Sequence, residues 1–269
     1  MRVAVVGHVE WLEIIHVDRV PRAGGIAQGA SILQAPAGGG GVAAVQLARW
    51  NVDAHFFTAL GDDALGDRAA SELRARGVTL HAVRRREPQR RAVTLVDARR
   101  ERTIILTGAR HVARFDDPLP WDALSTFDAV YITGGDPASV RAARAARVAV
   151  STARVLPLLT EAATALDALV GSDDDPAERY EAELSPAPRL VVRTDGARGG
   201  RYVTPDGSVH AYAPVPTEVT GDTYGAGDTF AAALTLALGE GKAPSDAVAF
   251  AAARAAEVLA WDGPYPPAA

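Results

Sequence analysis

The sequence predicts a three-layer α/β domain, a doubly wound and mostly parallel sheet with helices on both faces, carrying a small β-lid. Three observations lead there. From residue 129 onward, short β-branched runs alternate with alanine-rich helical runs, the rhythm of strand–helix units that build parallel sheets. Before that point several strand-like stretches follow one another without helices between them, so part of the chain must leave the main sheet. The length, 269 residues with 48% hydrophobic and 23% charged, suits one large domain with a core of useful size.

Taken in order, residues 2–6 read as a first buried strand, since the apolar run at the N-terminus is too short for a signal peptide. Residues 10–17 and 26–33, split by Pro21-Arg22-Ala23-Gly24-Gly25, alternate only in part and predict short, partly exposed strands. Ala37-Gly38-Gly39-Gly40-Gly41 then leads into a helical run with Val42, Val45, Leu47 and Ala48. A buried strand at 55–60, the loop Gly61-Asp62-Asp63-Ala64-Leu65-Gly66 and a helix through Leu73 follow, with Gly77 as a C-terminal stop. Strands at 92–96 and 103–106 flank the polar turn Asp97-Ala98-Arg99-Arg100-Glu101. Strands are then expected at 129–133, 148–151, 169–170 and 190–194, with helices at 138–147 and 156–166. A hairpin at 201–204 and 209–213 turns about Pro205-Asp206-Gly207. Two alanine-rich helices, about 226–238 and 245–259, close the chain, because Pro264-Tyr265-Pro266-Pro267 cannot extend a helix. The whole of 1–269 reads as a single domain, with the lid drawn from about 8–36 and 78–106.

Scarcities exclude several chemistries. There is no cysteine, so disulfides, thiol nucleophiles and cysteine metal sites are absent. Lys242 is the only lysine and Ala243 follows it. A P-loop needs Gly-Lys followed by Ser or Thr, and a protein kinase needs a lysine on a strand, so neither exists here. The net charge of −5 and the lack of a clustered basic face argue against nucleic acid. The densest basic run, Arg84, Arg85, Arg86, Arg90 and Arg91, reads as a solvated hairpin edge. No segment has the length of a membrane span, and a cytoplasmic protein is expected. The six histidines show no zinc spacing. The first strand is not followed by Gly-x-Gly-x-x-Gly, which removes a dinucleotide-dependent oxidoreductase.

The most informative stretch is Thr220-Gly221-Asp222-Thr223-Tyr224-Gly225-Ala226-Gly227-Asp228-Thr229-Phe230. Small residues precede a helix whose inner face includes Phe230, Leu234, Ala237 and Leu238. The free N–H groups of its first turn lie at the positive end of the helix dipole. Gly225, Ala226 and Gly227 let an anion approach that backbone, as at a phosphate site. Asp228 lies in the same turn, placed to face a group that attacks phosphorus. A bare Gly-x-Gly-Asp would favour a tight loop capped by an aspartate, with no ligand; the whole segment does not.

The full segment resembles the Asp-Thr-x-Gly-Ala-Gly-Asp motif of the PfkB sugar and nucleoside kinases, the ribokinase-like family. Gly61 to Gly66 with Leu73, Gly77 and Val78 is similar to a second family segment. Thr94-Leu95-Val96-Asp97 with Glu101-Arg102-Thr103-Ile104 resembles its lid-to-core strands, and Val192-Arg193-Thr194-Asp195-Gly196-Ala197-Arg198-Gly199-Gly200 its nucleotide loop. The resemblance implies a ribokinase-like fold and transfer of the γ-phosphoryl of Mg-ATP to a hydroxyl of a sugar or sugar derivative. It implies Asp228 as catalytic base, and the amides of Gly225, Ala226 and Gly227 as stabilisers of the transferring group. Thr194, Gly196, Gly199 and Gly200 would line the nucleotide. Phosphoryl transfer is mainly positioning and charge stabilisation, so backbone dipoles and Mg²⁺ can serve without a lysine. Asp222 would lie by a monovalent cation such as K⁺, or act as a plain turn carboxylate. Lids of this family often pair between subunits, which implies a homodimer through the lid.

The sequence also departs from the family pattern. Asn51 is the only asparagine, whereas the family has one soon after its first double glycine and another in an Asn-x-x-Glu segment that organises Mg²⁺. Here Gly39 and Gly40 of the glycine run lead into Val42. The second place reads Gly171-Ser172-Asp173-Asp174-Asp175-Pro176, where Ser172 and Asp175 would substitute as oxygen donors or form a solvated acidic loop. Glu10 and Trp11 stand where the family holds sugar hydroxyls; they would bond and stack on substrate, or face solvent or core. Arg154 would meet a phosphate or stay on the surface. A small sugar-like substrate is expected. A nucleoside kinase of the same fold, with Trp11 on the base, and a catalytically weak binding protein are the alternative readings.

Overall fold

The computed structural model describes residues 1–266 except 183. The main sheet uses β1 (Arg2–Val6), β4 (Asp53–Gly61), β5 (Thr79–Arg85), β8 (Ala129–Ile132), β9 (Val148–Thr152), β10 (Ala168–Ser172), β11 (Leu190–Thr194), β12 (Gly200–Val203) and β13 (Val209–Tyr212). Their order is β13-β12-β11-β10-β9-β8-β1-β4-β5, and β12, which pairs antiparallel with both β11 and its hairpin partner β13, is the one reversed strand among the described residues. Side chains of β1 alternate between the faces: Val3 and Val5 join one apolar cluster, Ala4 and Val6 the other. That double burial is why the strand reads as an unbroken apolar run.

The first cluster lies under α1 (Gly38–Arg49), α2 (Ala64–Ala75), α5 (Ala226–Gly239) and α6 (Pro244–Glu257), with Leu47, Leu73 and Leu234 at its centre. The second lies under α3 (Pro137–Ala143) and α4 (Leu156–Ala162), with Val140, Leu159 and Phe127. These two helices are shorter than the alanine-rich runs suggested. α4 stops where Ala163 turns left-handed at φ 47°, a C-terminal conformation that glycine usually announces and alanine does not. Among the described residues no helix is long and apolar enough to cross a membrane.

The lid is a separate four-stranded sheet, β3-β2-β6-β7, built from β2 (Glu10–Val17), β3 (Gly29–Ala37), β6 (Arg91–Val96) and β7 (Arg102–Thr107). Its second segment starts later than expected. Residues 79–85 pair in parallel with β4 as the edge of the main sheet, so the lid's share begins near Arg91 rather than at 78. The glycine run belongs to the helix it leads into: Gly38 to Gly41 form the first turn of α1.

The chain leaves β1 toward β4 on one side and meets β8 on the other. In an open α/β sheet such a switch point leaves a crevice outside the carboxyl ends of the strands. Arg154 and Asp175, singled out by sequence, follow β9 and β10 at that edge, and Thr194 ends β11 there.

Candidate active site

Glycines make the floor of the crevice. A Cβ on Gly38 would lie 3.1 Å from Cγ of Glu10 and 3.2 Å from Cδ2 of His8. One on Gly39 would lie 2.6 Å from Oγ1 of Thr133 and 3.0 Å from Oδ1 of Asp228, and one on Gly40 would lie 2.7 Å from Phe56. The first turn of α1 thus passes directly beneath His8 and Glu10 on one side and Asp228 on the other. It can do so only without side chains.

Two helix N-termini meet here. α1 and α5 both begin without a side-chain cap, at Ala37 and Gly225 respectively. Gly225 is left-handed at φ 80°, which aligns the amides that follow it, and nothing lies within 4 Å of a Cβ on Gly227. The turn is therefore open to an incoming anion, with free N–H groups and the positive end of the helix dipole behind it.

Asp228 sits in that first turn, partly exposed to the cleft yet densely surrounded by protein. Burial, and then the Glu178 carboxylate, push its pKa up to about 7; Arg154 opposes this and Glu10 adds a smaller upward push. A carboxyl tuned to the operating pH is a competent general base, which an aspartate at its ordinary value is not.

Arg154, just past β9, is exposed but paired. It pairs with Asp175 at 2.7 Å and with Glu178 at 2.6 Å. Asp175 also accepts the Ala177 N–H, and its pKa is held down by that bond and by Arg154. Burial raises the Glu178 pKa against the pull of Arg154. Glu178 escaped sequence reasoning, although Asp175-Pro176-Ala177-Glu178 keeps the spacing of the Asn-x-x-Glu segment with aspartate in the first place. Among the described residues no three acidic or histidine side chains converge as a metal cage. Asp175 and Glu178, both paired with Arg154, are carboxylates that could hold a Mg²⁺ arriving on phosphates, an ion that keeps several waters.

Glu10 points into the site and is almost fully buried, bonded by Nε of Arg90 at 2.7 Å. Within the arginine run read as a solvated edge, Arg84, Arg86 and Arg91 are exposed, whereas Arg85 and Arg90 are partly buried and paired. Arg90 is held in the cleft by Glu10 and by the Gly108 carbonyl, and Arg85 pairs with Asp117 at 2.6 Å. Arg110 follows β7. Burial, then the charges of Arg90 and Arg154, lower its pKa. Its guanidinium makes no hydrogen bond or ion pair among the described residues. His8, buried beside Arg110 and Arg90, has its pKa pushed down to about 3 by burial and then by those charges, and so stays neutral.

Trp11 is the clearest correction. Strand alternation turns it away from Glu10 into the main core, where it is fully buried beneath the Arg68 guanidinium, 4.5 Å from the ring centroid. It cannot stack on a substrate, and the support it lent to a nucleoside base disappears.

The loop expected to line the nucleotide is shaped by its glycines. Gly196 and Gly199 are left-handed at φ 50° and 86°, and a side chain on Gly199 would strike the Tyr212 carbonyl. Thr194 bonds the Gly171 carbonyl at 3.3 Å. Arg198 ties Asp195 to Asp174, which sets this loop beside the one bearing Asp175. Asp222 does not face the cleft: its oxygens accept the N–H groups of Tyr224 at 2.7 Å and Gly263 at 2.9 Å. It braces the turn.

The pfkB family carbohydrate kinase model matches residues 1–162 and 155–268. The chain belongs to the pfkB family of carbohydrate kinases. It is accordingly an ATP-dependent phosphotransferase with an alcohol group of a sugar as acceptor. It is 33% identical to an ATP-dependent ribose-1-phosphate kinase of Halopiger xanaduensis, across 86% of this chain and 83% of that one. The ribokinase of Thermotoga maritima superposes with a TM-score of 0.79 at 22% identity, covering 97% of this chain and 93% of that one. The adenosine kinase of Sinorhizobium meliloti superposes with 0.80 at 18% identity, covering 99% and 96%. At these identities the two structures establish the ribokinase-like fold.

Proposed function

We propose that this pfkB kinase phosphorylates a sugar that already carries a phosphate, a pentose 1-phosphate being the leading candidate. The observation that carries the reading is Arg110, a guanidinium without a partner, set among Arg90 and Arg154 beside the acceptor cleft. Arg110 is exposed, and an arginine without a protein partner among like charges is placed to take an anion. Glu10 is bonded by Arg90 at 2.7 Å, lies 3.6 Å from Nε2 of His8 and acts on Arg110 only through its charge. The name of the Halopiger relative points the same way.

In this reading Glu10 and neutral His8 meet sugar hydroxyls, Arg110 and Arg90 take the resident phosphate, and the amides of Gly39 and Gly40 lie under the ring. Asp228 takes the proton of the attacking hydroxyl. The amides of Gly225, Ala226 and Gly227 hold the charge of the transferring phosphoryl, and Thr194, Gly196, Gly199 and Gly200 border the nucleotide. Mg²⁺, when bound, supplies charge neutralisation on the phosphates. A homodimer through the lid is supported by its edge strands, where Ile32, Ile104, Ile105 and Leu106 are 46 to 63% exposed, an apolar rim that a partner lid would cover.

The test is ADP release from Mg-ATP with ribose 1-phosphate, ribose and nucleosides. Ribose 1-phosphate should be preferred, and Arg110→Ala should raise its KM about tenfold to a hundredfold, the loss of one charged contact. Equal use of free ribose by parent and variant would refute the phosphate subsite.

A further inference from the structure

The lid also grips the loop that leads into the catalytic helix. β6 and β7 are joined by a turn in which the Asp97 carboxylate accepts the N–H groups of Arg99 at 2.8 Å and Glu101 at 3.1 Å. Between them Arg100 is left-handed, φ 64°, and its side chain leaves the lid. Its Nη1 donates to the Thr220 carbonyl at 2.6 Å and to the Gly221 carbonyl. These two carbonyls directly precede the run from Asp222 to Gly225. From the other side the C-terminal chain holds the same segment: the N–H groups of Thr220 and Gly221 donate to Leu259, and that of Asp222 to Trp261. A second lid contact is apolar. Tyr224, adjacent to Gly225, is buried with Leu12, Ile14, Ala92 and Val96 of β2 and β6.

We propose that Arg100 is a positioning residue, a latch at the lid tip that couples closure over the sugar to the geometry of the anion-binding turn. A turn built of Gly221, Gly225 and Gly227 has little intrinsic preference for one conformation and loses much entropy when fixed. Engaging its carbonyls with a charged donor fixes it strongly. Glu10 opens β2 and Arg90 immediately precedes β6, so the groups that meet the sugar ride on the sheet that carries Arg100. Sugar that seats this sheet seats the latch with it. With the latch released the turn is slack, which disfavours phosphoryl transfer to water before the sugar arrives. Arg100 touches neither substrate; it acts through the turn.

The test compares Arg100→Ala and Arg100→Lys with the parent, in turnover of ribose 1-phosphate with Mg-ATP and in amide hydrogen exchange over residues 220–228. In Arg100→Ala, kcat should fall about tenfold to a hundredfold. KM for ATP should stay within about twofold, the amides of 220–228 should exchange faster, and the melting temperature should hold. Arg100→Lys should recover most of kcat, and added guanidinium part of it. Parental kcat and exchange in Arg100→Ala would overturn the latch. So would a loss of kcat that follows a lowered melting temperature and that lysine does not repair. Should the parent not use ribose 1-phosphate, exchange with Mg-ATP alone decides: unchanged rates in Arg100→Ala overturn the proposal.

Discussion

A Cβ placed on Gly39 would stand 3.0 Å from Oδ1 of Asp228. The first turn of one helix thus sets the position of the carboxylate on the first turn of another. Gly39→Ala makes this testable, because alanine should favour a helix by about 1 kcal/mol over glycine. Here it should instead cost activity. The added methyl must displace Asp228 or Thr133, 2.6 Å away, and misplacement by about 1 Å costs on the order of a hundredfold in rate. Circular dichroism should show a folded protein with kcat reduced to that extent. Parental kcat would mean the two helix ends are not coupled.

The pH profile follows from the charges around Asp228. Its pKa of about 7 means that kcat/KM should rise with pH through neutrality and then level as the base becomes ionised. Glu178 raises that pKa and Arg154 lowers it, so Glu178→Gln should move the inflection down and Arg154→Ala should move it up. Shifts of the inflection in the opposite directions would contradict the electrostatic account.

The same shift has a consequence for stability. A carboxyl whose folded pKa lies above its unfolded value favours the fold below the unfolded value and loses that contribution as pH rises through the folded one. Ionised Asp228 therefore strains the fold above pH 7. Asp228→Asn should gain about 1–3 kcal/mol at pH 8, after allowance for its partial exposure, and little at pH 4. Urea unfolding at the two pH values measures the difference.

Trp11 separates core from substrate contact. Trp11→Ala should cost about 3–5 kcal/mol of stability, while Trp11→Phe should leave KM for the sugar unchanged. A raised KM in a stable Trp11→Phe protein would return the residue to the site.

The fold class and the anion turn were legible because each rests on local pattern. The alternation after residue 129 records double burial, and Thr220 to Phe230 joins small residues to a helix start in one short segment. The residues around the acceptor were less legible. Glu178 keeps the Asn-x-x-Glu spacing only with aspartate in the first place, and Arg90 lay in a run that looked solvated. Arg110 gained meaning only when the lid brought it beside Arg90 and His8. Trp11 was misplaced because its neighbour Glu10 does enter the cleft, and strand alternation sends adjacent residues to opposite faces. The lid boundary failed at residues 79–85, where a strand that suits either sheet is assigned by its pairing with β4.

The most direct test of the central claim is sugar-dependent ADP release from Mg-ATP by the parent and by Asp228→Asn, with ATP affinity measured alongside. The account predicts sugar-dependent release in the parent, a loss of about 10³-fold or more in the variant, and near-parental ATP binding. A variant that turns over like its parent would show that Asp228 is not the base and would contradict the account.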